Sequence, residues 1–161
     1  MSFQIQLNDQ RLKAAAERAS REIGDQVHRT VTGIALDAEG GVIKNTPVGA
    51  TGHLRQSITH DISGSGIAIV GRVYSTDVPV KVASVEEGRA PGRMPPIAPI
   101  ELWLRRKAGI NSRSVAFLVA RAIGRRGTKG AHMFQKGYGV ARRESPKHMN
   151  GLRAAIARVL S

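Results

Sequence analysis

The chain has 161 residues, no cysteine, one Trp, two Tyr, three Phe and a formal net charge of +13. That length suits one domain able to bury about two-thirds of the surface its unfolded chain exposes. The lack of cysteine excludes disulfides, thiolate metal sites and cysteine nucleophiles, and the scarcity of aromatics leaves the core to Ala, Val, Ile and Leu.

Taken in chain order, Asn8 or Asp9 can cap a long first helix. Its apolar stripe is Leu12, Ala15, Ala16, Ala19, Ile23, Val27, Thr30, Val31, Ile34 and Ala38, with charges on the other side. Gly40 and Gly41 predict a kinked or frayed continuation up to Pro47. Pro47 forces Thr46 out of the helical region and removes a donor, so the helix ends there. Gly49 and Gly52 permit the positive φ of a tight turn, Gly52 being the more demanding of the two. With Leu54, where a strand starts, Thr46, Pro47, Gly49 and Gly52 make up a structural hinge. Alternation predicts strands over Leu54–Ile62 and Ile67–Tyr74, joined at Gly64, Ser65 and Gly66, and a third strand over Val78–Val85.

Gly88–Pro99 holds four of the seven prolines and reads as an extended arm. A short helix with Ile100, Trp103 and Leu104 follows, ended by Gly109. Asn111 or Ser112 caps the next, whose stripe is Val115, Leu118, Val119, Ala122 and Ile123. Gly124–Gly139 reads as a long basic glycine-rich loop. Ser145 then caps a last helix with Pro146 at its first position and a stripe of Leu152, Ala155, Ile156, Val159 and Leu160. The expected fold is α+β: one domain over residues 1–161, a long N-terminal helix on a small antiparallel sheet of three to four strands. Residues 1–88 supply helix and sheet, and residues 89–161 supply the arm, additional C-terminal helices and the extended basic loop.

Residues 1–88 carry 9 Lys+Arg against 10 Asp+Glu, whereas residues 89–161 carry 16 against 2. Such asymmetry marks a surface that meets a polyanion or an acidic partner. The candidate contacts to a subunit, partner or DNA are Glu86, Glu87, Arg89, Arg93, Arg125, Arg126, Lys129, Lys136, Arg142 and Arg143. The five histidines are scattered without metal-ligand spacing, and Glu86 and Glu87 would face opposite ways on a strand, against a shared acid/base pair. Arg125–Gly130 (RRGTKG) lacks the order of a nucleotide-binding loop. No catalytic residue, cofactor or metal is therefore expected. No apolar run approaches a membrane span and MSFQIQLNDQ has no secretory pattern, so a soluble protein without a membrane partner is expected.

The stretch TPVGATGHLRQSI (Thr46–Ile58) after a long helix, VEEGRAPG (Val85–Gly92) and a proline-rich segment together resemble the tail-completion (neck) proteins of long-tailed bacteriophages. That broad group includes the minor tail protein Z of phage lambda. The resemblance covers roughly residues 34–138. It implies a virion protein of the tail or neck, made in the host bacterial cytoplasm, that completes the tail or joins it to the head without catalysis. It further implies a homo-oligomer, commonly a hexameric ring. Its partners would be tail-terminator, tail-tube or head-connector proteins, with non-specific contact to phage DNA in the channel. The alternative is a stand-alone basic nucleic-acid-binding protein, against which stand the lack of an aromatic stacking platform and of any recognised binding motif.

Overall fold

A computed structural model of the chain describes residues 9–160, with side chains through Val159; Asn8 and the Leu160 side chain lie outside the described residues. Helix α1, Gln10–Asn45, runs unbroken across Gly40 and Gly41. Gly41 is buried, and a Cβ there would stand 3.0 Å from the Gly137 Cα and the Val140 side chain. This glycine therefore permits close helix contact instead of marking a stop. At the N-terminus Asp9 makes no side-chain cap bond and pairs with Lys13 at 3.3 Å. At the other end Thr46 is extended (φ −77°, ψ 125°), as a residue before proline must be.

The strand expected from Leu54 begins at Ile58. His53–Gln56 is instead a single helical turn, α2, closed by Gln56 N–H to the Gly52 carbonyl at 3.1 Å and Ser57 N–H to the His53 carbonyl at 2.9 Å. The short alternation was ambiguous because Leu54 and Ile58 are also four apart, and both are buried in one cluster. Strand β1 (Ile58–Ser65) pairs antiparallel with β2 (Ala68–Ser75), Ile58 opposite Ser75 and Ser65 opposite Ala68, across a two-residue turn at Gly66 (φ +58°) and Ile67.

The third strand expected over Val78–Val85 is helix α3, Pro79–Glu86. Pro79 stands at its first turn, where a missing N–H costs nothing, and Val82 and Val85, three apart, pack on the core. The hairpin is thus completed by helices, and the sheet of three to four strands is replaced by two separate two-stranded sheets. The second is small: β3 (Gly88–Arg89) pairs antiparallel with β4 (Thr128–Lys129).

Between β3 and β4 lie α4 (Ile97–Ala108) and α5 (Arg113–Arg126). Pro99 falls inside the first turn of α4, so the arm ends at Pro96, three residues before it. Gly109 terminates α4 at φ +66°, and the Ser112 hydroxyl accepts from Val115 N–H at 3.4 Å to cap α5. Ala116 and Ala120 are the fully buried residues of α5, while Leu118 and Ala122, expected on its inner stripe, are exposed. The buried face therefore centres on Ala116 and Ala120, beside the expected stripe.

The basic loop expected over Gly124–Gly139 is largely helical. Helix α5 runs to Arg126, and α6 occupies Met133–Leu160 without a break at Ser145–Pro146. Pro146 has no N–H to offer the Arg142 carbonyl one turn back. The Ser145 hydroxyl donates to that carbonyl at 3.0 Å in its place, which is why a proline is tolerated mid-helix. Helix α6 lies antiparallel along α1. Gly137 meets Ala38 and Val42, His148 meets Gly33 and Asp37, and Ala155 and Val159 lie beside Glu22 and Arg29. Val42, Leu54, Ile58 and Met133 form the core, with Ile43, Val73, Val82, Val85 and Phe134 around them.

Candidate functional site

The hinge is an internal structure. Thr46 is buried; its hydroxyl donates to the Val42 carbonyl at 2.7 Å and lies 3.2 Å from the Met133 sulfur. Arg55 donates through Nε and Nη2 to the Thr46 carbonyl at 3.2 and 2.8 Å, satisfying an acceptor the ended helix cannot. Pro47 is exposed, Leu54 is in the core, and Gly49 (φ +60°) and Gly52 (φ +75°) are both left-handed. Gly52 is not the more demanding position: the two glycines share the same backbone requirement.

Three of the scattered histidines each meet one carboxylate. His60 Nδ1 lies 2.8 Å from Glu39, His148 Nε2 lies 2.8 Å from Asp37, and His53 Nδ1 lies 3.2 Å from Asp77. The first two tie β1 and α6 to α1. Asp77 also bonds Lys81 and accepts from Val78 N–H at 2.8 Å; the Lys81 bond first, then the backbone donor, lowers its carboxyl from 3.8 to about 2. Lys147 is raised by its bond to Glu144.

Of the candidate contacts, Glu86 is engaged within the chain. Its carboxylate accepts from Phe134 N–H at 3.0 Å and Gln135 N–H at 3.2 Å, placing negative charge at the start of α6 where free donors and the helix dipole favour it. Glu87 is exposed. Arg89, Arg93, Arg125, Arg126 and Lys129 are drawn to one junction by the backbone. Gly88 pairs with Lys129, Arg89 pairs with Thr128, and Gly92 N–H donates to the Gly124 carbonyl at 2.7 Å. All five are exposed, and none forms an ion pair among the described residues. Lys136, Arg142 and Arg143 are carried by α6. Lys136 donates to the Ala131 carbonyl at 2.7 Å.

Two further surfaces escaped sequence reasoning. The α4–α5 pair is joined to the body through the β3–β4 junction and a bond from Arg106 to the Ala50 carbonyl at 3.3 Å, and it exposes Trp103, Phe117 and Leu118 beside its arginines. The second surface is an open apolar groove of about 520 Å³, floored by Val31, Ile34, Ala35 and Ala38 of α1. Gly71 and Val73 of β2 form one wall, and Phe134, Tyr138 and Ala141 of α6 form the other. Its signal is present as Phe134, Tyr138 and Ala141 at helical spacing, but the glycines at 137 and 139 read as loop.

Among the described residues no helix is long and apolar enough to cross a membrane, and no group of three or more His, Cys, Asp or Glu could hold a metal ion. No family model, curated protein or solved structure matches the chain.

Proposed function

We propose that this chain is a phage virion structural protein of the tail or neck, which closes into a ring and completes the tail or joins it to the head. Its work is assembly, without catalysis. The observation that carries this reading is the junction of Arg89, Arg93, Arg125, Arg126 and Lys129, exposed and without acidic partners in the described chain. Backbone pairing brings the segments that carry these five exposed cations to one place, and an acidic surface or a polyanion that meets them there gains from all five charges. The order of helix, proline–glycine hinge and acidic pair supports the same reading through its resemblance to tail-completion proteins.

In this account the ring contacts a tail-terminator, tail-tube or head-connector protein, and its basic junction faces an acidic partner ring or DNA in the channel. Electron microscopy of particles made without the protein tests it. Free heads and free tails are the expected result, and normal joined particles would contradict it.

A further inference from the structure

Strand β2 has one partner, β1. Among the described residues no backbone hydrogen bond reaches its other edge. The apolar groove runs along that free edge, because Gly71 and Val73 line it and no residue of β1 does. A free strand edge beside an apolar trough is the arrangement that receives an added strand: main-chain bonds fix the strand, and alternate side chains fill the trough.

The chain carries a segment of matching pattern. Ser2–Leu7 (SFQIQL), outside the described residues, alternates polar and apolar with Phe3, Ile5 and Leu7 in one set, and it has no charge. The groove is equally poor in charge, Arg142 being the sole charged residue in its lining. Geometry decides whose segment can enter. The hairpin tip at Gly66 packs against Gly24, where a Cβ would stand 3.3 Å from the Gly66 Cα. Gln10 starts α1 fourteen residues earlier, about 21 Å away at 1.5 Å per residue. At about 3.5 Å per extended residue, Leu7, three residues before Gln10, reaches only about 10 Å back along α1, so Ser2–Leu7 of the same chain cannot lie along β2.

We propose that this groove receives Ser2–Leu7 of a second copy of the chain as a third strand on β2, with Phe3, Ile5 and Leu7 toward the α1 floor. The contact is head-to-tail, donor segment into acceptor groove, so it propagates and closes into a ring where the rotation permits. The inference rests on the self-association of the proposed ring and names the contact that makes it.

The test compares the full chain with its Phe3→Ser/Ile5→Ser variant by light scattering across concentrations, with circular dichroism reporting folding. A synthetic peptide of residues 1–8 is then titrated into the variant. The variant should stay folded while its half-assembly concentration rises about a hundredfold or more, since two large apolar side chains lose their burial. The peptide should bind the variant, and the same peptide with both serines should not. Tyr138→Ala, at an exposed position on the groove rim, should weaken peptide binding several-fold. A double variant that assembles like the parent overturns the inference and leaves the ring standing. A parent chain that remains monomeric overturns both. Loss of assembly without peptide binding overturns the groove as the receiving site.

Discussion

Thr46 shows how much one residue carries at the helix-to-hairpin turn. Its extended backbone is imposed by Pro47, its hydroxyl returns to the Val42 carbonyl, and its own carbonyl is held by Arg55. Replacing Thr46 with Val keeps the shape and removes the hydroxyl donor, for an expected loss of about 1 kcal/mol in urea unfolding. Gly49 and Gly52 both sit at positive φ, so a Val at either site should cost about 1–3 kcal/mol, read from the same unfolding curves. Equal damage at both sites is the expected result. Asp77 gives a pH signature. Its folded carboxyl lies at about 2 against an ordinary 3.8, so its contribution is complete above about 4 and fades as pH falls toward 2. Asp77→Asn should flatten the pH dependence of melting temperature in that acid window and leave the neutral range without this dependence.

At the scale of elements, α1 and α6 approach closely because their glycines face each other. A Cβ on Gly137 would stand 2.9 Å from both the Ala38 carbonyl oxygen and the Val42 nitrogen, which are fixed backbone atoms. Gly137→Val should therefore force the helices apart, costing about 1–3 kcal/mol or more, visible as a lowered thermal midpoint. The same glycines explain what was legible in the sequence. The long first helix, its stop at Pro47, the hairpin near Gly66, the Gly109 stop and the Ser112 cap all follow from local chemistry, and each was readable. The last turns of α6, with their stripe of Leu152, Ala155, Ile156 and Val159, are legible too, but its first half from Met133 is not, because Gly137 and Gly139 lower helix propensity locally while packing on α1 outweighs it. In sequence Pro146 reads as a helix start, because the Ser145 bond that replaces its missing donor is invisible there. The run Val78–Val85 is β-branched enough to pass for a strand, and Pro79 at the first turn together with Val82 and Val85 toward the core favours the helix. Of the candidate site, the cations were legible, but their convergence at the β3–β4 junction depends on pairing across about forty residues.

For the whole molecule, the division of charge and the division of structure do not coincide. Helix α6 belongs to the basic half of the sequence yet packs along α1 and supplies Met133 to the core. The basic surface is therefore carried by the body itself and by the α4–α5 pair, with no separable tail. Neutralising Arg125, Arg126 and Lys129 together should leave the melting temperature nearly unchanged, since exposed substitutions usually cost under about 0.5 kcal/mol each. The same triple variant should block assembly in a particle-joining assay. The central claim, that the chain acts by assembling, is tested most directly by measuring the mass of the purified full chain from about 50 to 200 mM salt, with and without random duplex DNA. A closed oligomer is expected, with a mass that holds across that range and does not depend on DNA. The claim is contradicted by a monomer at every concentration that binds duplex tightly and loses about a thousand-fold in affinity over the same range, as a phosphate-contacting DNA binder does.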